Sequence, residues 1–277
     1  MIVPGSASQE VAAALAAELD EPLAPVEYER FADGEQLVRV PETDDRAVVV
    51  ASTVSDRAHV ELLQLQDAAR QQADEVVTVV PYMGYGRQDQ AFEAGEPVSA
   101  RAVARAISTG TDRVLTVNPH EPAVRDFFDV PCEPVDAAGR LADPLPALSE
   151  PLFLSPDAGA VGIAETVRDA HGAGEVDYFE KHRLSDTEVE IQPSDAATAD
   201  RDVVLVDDIV ATGSTMSTAI SQLEAPARVF VTCVHPLLAA DARTKLANAG
   251  VDAVYGTDTV ERAVSAVSAA PAIAERL

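Results

Sequence analysis

The sequence predicts an α/β fold, with mostly parallel sheets flanked by helices in two domains of similar size. Three observations carry that expectation. Val-rich runs such as VVTVV and VVLV are apolar on both faces, as central parallel strands covered by helices must be. These runs alternate with Ala-rich stretches of helical length, the rhythm of a parallel sheet with crossover helices. A proline-rich break, ADPLPALSEP between Leu141 and Pro151, interrupts the rhythm, which restarts at LFLSPDAG. The expected domains are 1–142 and 143–277, a size that suits two hydrophobic cores.

In chain order, strands are expected at Ala47 to Ser52, Glu75 to Val80, Arg113 to Val117, Leu152 to Leu154, Val203 to Val206 and Arg228 to Val234. Helices are expected at Ala58 to Gln72, Ser99 to Ser108 ending at Gly110, Ala158 to His171 ending at Gly172, and Thr215 to Leu223. Glycine just past a helix takes the left-handed terminating conformation at little steric cost.

Composition bounds the function. The chain of 277 residues carries 47 Asp plus Glu against 20 Lys plus Arg, a formal charge of −27, and only two of the basic residues are lysines, Lys181 and Lys245. At 47% hydrophobic, it can bury enough surface to offset chain entropy, which argues against disorder. The acidity argues against a nucleic-acid partner, because a polyanion would be repelled. Acids spread along the whole chain, with lysine nearly absent, fit a surface kept hydrated in molar salt, where the Debye length falls to about 3 Å and self-repulsion is screened. No apolar run approaches the length of a membrane span, and the N-terminus lacks the basic start of a secretory signal. Cys132 and Cys233 match no metal or redox spacing and read as core residues of a cytoplasmic protein.

The strongest local pattern is VVLVDDIVATGSTM, residues 203–216. An apolar strand runs into Asp207 and Asp208, and a loop of Ala211, Thr212, Gly213, Ser214 and Thr215 opens a helix. Backbone N–H groups and hydroxyls at such a turn can hold a phosphate, and the adjoining acids can accept hydrogen bonds from sugar hydroxyls. The plain alternative is a capped turn with solvated acids.

This pattern resembles the signature of proteins that bind phosphoribosyl diphosphate (PRPP). PYMGYGRQDQAFEAGEPVSARAVARAI at 81–107, FADGE at 31–35, NPHEPAVRDFFDVP, SPDAG, EKHRLSDTEVEI and VHPLL then follow in the order of one family, the ribose-phosphate diphosphokinases or PRPP synthetases. The resemblance runs from about Phe31 to Thr259. It implies two phosphoribosyltransferase-like (type I) domains and the transfer of a diphosphoryl group from ATP to ribose 5-phosphate, with Mg²⁺, giving PRPP and AMP. It also implies a homo-oligomer. Two other readings stand beside it: a PRPP-consuming phosphoribosyltransferase, and a non-catalytic subunit of the same descent.

The resemblance assigns roles residue by residue. Asp33, Gly34 and Glu35 would bind ATP from a neighbouring subunit, together with Arg87 and Gln88; without it, the first is an ordinary Asp-Gly turn and Arg87 an ion pair with Asp89 or Glu93. His120 and Asp157 would lie at Mg²⁺, although a packed histidine and a helix cap are the simpler readings. Lys181 and Arg183 would be the catalytic cations, Arg183 also touching the sugar phosphate; the alternative is a hairpin in which Lys181 pairs with Glu180 or Asp186. Asp207, Asp208, Ala211, Thr212, Gly213, Ser214 and Thr215 would hold ribose 5-phosphate. Two departures are visible: Asn118 stands where the family often has an acid, and Ala211 and Ser214 stand where many members have an acid and a glycine.

Overall fold

The computed structural model describes residues 1–183, 189–192 and 196–277, the side chains of 180–183 and 189–192 excepted. The chain forms two compact units. The first comprises Met1–Asp136, Asp258–Glu261 and Ser268–Leu277; the second comprises Ala137–Thr257 and Arg262–Val267.

In the first unit, β1 (Ile2–Pro4) and α1 (Gln9–Leu19) precede a hairpin of β2 (Glu27–Arg30) and β3 (Gln36–Arg39). Then follow β4 (Arg46–Val50), α2 (Asp56–Arg70), β5 (Glu75–Val80), α3 (Ser99–Ser108), β6 (Arg113–Val117) and β7 (Cys132–Val135). The sheet order is β1-β4-β5-β6-β7 with every pairing parallel. Val48 to Val50 and Val76, Val77, Val79 and Val80 are fully buried, as double-sided apolar runs require. Ser55 starts α2 by accepting the Ala58 N–H at 3.2 Å, and Ala58, Leu62, Leu65 and Ala69 form its buried stripe.

Gly110 does not take the left-handed cap expected of it. The cap of α3 is Thr109, in the right-handed region. Glycine is needed there for closeness instead, since a Cβ on Gly110 would stand 2.8 Å from Gln66 Cβ. Buried Gln66 lies beneath it, donating to Thr78 Oγ1 at 2.8 Å and to the Ile107 carbonyl at 3.1 Å. Gly172 behaves as expected, capping its helix at φ 87°.

The second unit contains β8 (Leu152–Ser155), α4 (Val161–His171), β9 (Glu175–Tyr178), an antiparallel pair β10 (Glu180–Arg183) and β11 (Val189–Gln192), β12 (Asp202–Ile209), α5 (Ser214–Ile220), β13 (Arg228–His235), α6 (Ala242–Asn248), β14 (Ala253–Thr257) and β15 (Ser265–Val267). Its main sheet is β15-β14-β13-β12-β8-β9, again parallel throughout. A final helix, α7 (Ala270–Ala274), belongs to the first unit and packs against α1.

Several expected boundaries shift by a residue or more, among them three in the second unit. The helix expected from Ala158 begins with a 3₁₀ turn at Ala158–Ala160. The helix expected to reach Leu223 stops at Ile220, ahead of Ala225 in the left-handed region and Pro226, which disfavours helix in the residue before it. The strand expected to end at Val206 continues to Ile209, so Asp207 and Asp208 lie inside it, with Asp207 opposite Cys233 and Ile209 opposite His235.

Candidate functional site

In the second unit Asp157, Asp207, Asp208 and the loop at 211–215 lie at or near the carboxyl end of β12, where ligands of parallel sheets bind. Asp207 and Asp208 occupy consecutive positions there. The Asp208 N–H donates to Asp207 Oδ1 at 2.9 Å and the Ile209 N–H to Asp208 Oδ1 at 2.8 Å. Burial pushes the Asp207 carboxyl well above the usual carboxylate range; the adjoining Asp208 carboxyl raises it further, and Asp157 adds to the same repulsion. Such a carboxyl calls for a hydrogen-bond donor or a cation beside it.

The loop that follows is held open. The Ala211 carbonyl accepts the Ala239 N–H at 2.8 Å, and the Val210 N–H donates to the His235 carbonyl at 3.2 Å. Gly213 is in the left-handed region at φ 72° and is the N-cap of α5, with no side chain bonded to the first turn. Thr212, Ser214 and Thr215 are exposed. Thr212 Oγ1 donates to Ser214 Oγ at 3.2 Å. Neither departure from the family pattern removes a backbone donor: Ala211 is anchored through its carbonyl, and Ser214 adds a hydroxyl.

Asp157 follows β8 and caps the turn after it, Oδ1 accepting the Gly159 N–H at 2.9 Å. The simpler reading of Asp157 is therefore realised, through one of its two oxygens. Lys181 and Arg183 lie on β10, in register with Ile191 and Val189. Their side chains, and with them the pairing of Lys181 with Glu180 or Asp186, lie outside the described residues.

In the first unit the candidates fall in two loops and at one strand end. The turn Asp33–Gly34–Glu35 is the exposed tip of the β2–β3 hairpin. The Phe31 N–H donates to the Glu35 carbonyl at 2.8 Å, the Glu35 N–H to Asp33 Oδ1 at 3.0 Å, and Gly34 takes φ 96°. Phe31 is 44% exposed beside it. Arg87 and Gln88 sit together in the loop after β5, both exposed. Among the described residues Arg87 is exposed and forms no ion pair with Asp89 or Glu93. Gln88 is fixed by its backbone, its N–H on the Tyr85 carbonyl at 2.9 Å and its carbonyl on the Ala100 N–H at 3.1 Å.

The base of this loop is tied to the end of β4. The Gly84 N–H donates to Thr53 Oγ1 at 2.8 Å, and a Cβ on Gly84 would stand 2.2 Å from the Thr53 carbonyl oxygen. The Tyr85 hydroxyl donates to Asp56 Oδ1, and that hydrogen bond and the carboxylate's charge hold the tyrosine above its ordinary range. His120 is exposed just past β6. Asn118 has φ 34°, a conformation asparagine tolerates better than most residues, and its amide donates to Asp136 Oδ1 at 2.8 Å. Among the described residues, no three His, Cys, Asp or Glu side chains form a metal-holding group.

Sequence reasoning missed Lys245, which reaches the loop at 211–215. It also missed Gly84 and Tyr85, which fix the loop bearing Arg87. The scarcity of lysine, two in 277 residues, was the available signal for Lys245.

Comparison with known proteins gives a consistent result. The family profile described as the N-terminal domain of ribose phosphate pyrophosphokinase matches residues 1–110. A ribose-phosphate pyrophosphokinase from Halobacterium salinarum is 64% identical, covering 100% of both chains. One from Methanopyrus kandleri is 46% identical over 94% of this chain and 92% of its own. The crystal structure of phosphoribosylpyrophosphate synthetase from Mycobacterium smegmatis superposes with a TM-score of 0.81 at 26% identity, covering 100% of this chain and 96% of the other.

Proposed function

The chain belongs to the ribose-phosphate pyrophosphokinase family, and from that premise we propose that it transfers the diphosphoryl group of ATP to the anomeric hydroxyl of ribose 5-phosphate. The observation that carries the reading is the 64% identity along the whole length of both chains. The hydroxyl oxygen attacks the β-phosphorus and the bond from that phosphorus to the α–β bridging oxygen breaks. PRPP forms, AMP departs with the bridging oxygen, and the hydroxyl proton is released.

Each loop has a part in this. Thr212, Gly213, Ser214 and Thr215 hold the 5-phosphate with backbone N–H groups and hydroxyls, and the first turn of α5 carries no side-chain cap to compete. Asp207 and Asp208 accept the ribose hydroxyls; the raised Asp207 carboxyl supports this, because a hydroxyl donor relieves its repulsion. Arg87 offers a fork to phosphate or a face to the base, and Gln88 an amide to the adenine edge. The exposed Asp33–Gly34–Glu35 tip suits contact with nucleotide bound to a second copy in a homo-oligomer. Lys181 and Arg183 supply positive charge where it develops on the transferring phosphates.

The acid-rich end of β12 and β8 fits a hard cation with oxygen ligands, and Mg²⁺ is ordinarily held by one or two carboxylates plus substrate phosphates. Asp157, through its second oxygen, would hold it there, and His120, past β6 in the first unit, is proposed separately as a Mg²⁺ ligand. When bound, the ion neutralises phosphate charge. The dispersed acidity suits work in molar salt. The free thiols of Cys132 and Cys233 suit the cytoplasm. Among the described residues no helix is long and apolar enough to cross a membrane.

The test is AMP formation from ATP and Mg²⁺ in molar KCl, with and without ribose 5-phosphate. AMP that appears only with the sugar supports the proposal. Pyrophosphate release from PRPP and a free base, with no AMP formation, would instead identify a phosphoribosyltransferase.

A further inference from the structure

Lys245 is one of two lysines in a chain that carries 47 acidic residues, and its place in the fold is specific. It projects from α6 toward the loop at 211–215, its ammonium 3.4 Å from Ser214 Oγ and 3.0 Å from Asp241 Oδ1 one helical turn back. The approach of this helix to the loop is built in. The Ala239 N–H donates to the Ala211 carbonyl at 2.8 Å. Gly213 faces the start of the helix so closely that a Cβ there would lie 3.3 Å from the Ala242 carbonyl oxygen and 3.4 Å from Leu246 Cγ.

The electrostatics of the loop leave a need that Lys245 can meet. A sugar 5-phosphate is close to a dianion, and the strand end leading into the loop bears Asp207 and Asp208. Backbone N–H groups contribute only partial charge against that repulsion. An ammonium group is a compact full charge with three donors. In the structure two donors are directed at Asp241 and Ser214, which leaves the third for a phosphate oxygen.

We propose that Lys245 binds the 5-phosphate of ribose 5-phosphate, as a cation of the subsite formed by residues 211–215. The proposal deepens the functional reading and rests on its assignment of that loop to the sugar phosphate. Lys245 selects for a phosphorylated sugar; it takes no part in moving the diphosphoryl group.

The test compares Lys245→Ala, Lys245→Gln and Lys245→Arg with the unaltered protein, in molar KCl with Mg²⁺. Binding of ribose 5-phosphate is measured by titration calorimetry, and KM for each substrate by AMP formation. Alanine is the strongest helix former, so α6 should persist in the first variant, and Lys245→Gln serves if it does not. Loss of one charged hydrogen bond should weaken ribose 5-phosphate binding and raise its KM about ten-fold, with KM for ATP unchanged. Lys245→Arg should recover most of the loss. If Lys245 only pairs with Asp241 on its own helix, ribose 5-phosphate binding will be unchanged in all three variants, and the proposal is overturned. An equal rise in both KM values would also overturn it, as the mark of a general structural defect. Unaltered protein that binds the sugar phosphate without forming AMP would sink the functional reading while leaving the calorimetric comparison to decide the role of Lys245. If it binds no ribose 5-phosphate, both readings fall.

Discussion

Gly84→Ala is the substitution whose consequence can be worked most directly from the geometry. The new Cβ would be placed 2.2 Å from the Thr53 carbonyl oxygen, whereas ordinary contact begins near 3.4 Å. The obstacle is backbone at the end of β4, held by the Thr53 N–H on the Tyr82 carbonyl at 2.9 Å, so no side chain can swing aside. The loop that begins at Tyr82 must yield instead, by about 1 Å, and a misplacement of that size is enough to cost up to about a hundred-fold when it moves groups that position a substrate. Arg87 and Gln88 lie three and four residues past Gly84. ATP binding should therefore weaken ten- to a hundred-fold, or about 1.4–2.7 kcal/mol. The overpacking itself should cost about 1–3 kcal/mol of stability, leaving the protein folded. The assay is KM for ATP and for ribose 5-phosphate by AMP formation, beside a thermal melt. A folded variant with an unchanged KM for ATP would refute the placement of nucleotide against this loop.

Three further outcomes are expected. Asp207 has its carboxyl raised in the folded state, by burial first and then by Asp208, so the folded protein holds that proton more tightly than the unfolded chain. Its contribution to stability is present below the ordinary carboxylate range and is lost as pH rises through the raised value; Asp207→Asn should flatten that part of the Tm–pH curve and raise KM for ribose 5-phosphate far more than for ATP. Equal effects on both substrates would argue against a ribose site. Asp202, buried at the start of β12, is held below the usual carboxylate range by Arg228, which bonds both its oxygens at 2.8 and 2.5 Å, and by the Ser149 N–H. Arg228→Ala should strand that buried carboxylate and lower the melting temperature; a melt that does not shift would contradict it. Lys181→Ala should lower kcat by about a hundred-fold or more while KM for ATP stays within a few-fold, and unchanged turnover would remove Lys181 from the chemistry.

The central strands were legible because burial on both faces forces continuous apolar runs: Glu75–Val80 and Arg113–Val117 fall where the sequence places them. Edge elements lack that constraint. Every residue of Glu27–Arg30 is exposed, so β2 shows no apolar alternation to read. Asp207 and Asp208 looked like the end of a strand because acids are poor strand formers, yet the ladder with β13 continues through them. Gly110 looked like a helix terminator, and its actual reason, the closeness of Gln66, is a tertiary contact that no local pattern encodes. The same holds for α7, whose return to the first unit depends on packing against α1. The loop at 211–215 was readable as a phosphate site from its own residues. Lys245 was not, because 31 residues and a whole strand separate it from Ser214.

The proposed reaction requires that the β- and γ-phosphates of ATP move together. ATP labelled on the γ-phosphorus or on the α-phosphorus, incubated with ribose 5-phosphate and Mg²⁺ in molar KCl, tests it in one experiment. The γ-label should appear in PRPP and the α-label in AMP, one for one. Release of the γ-label as inorganic phosphate, with the α-label left in ADP, would contradict it.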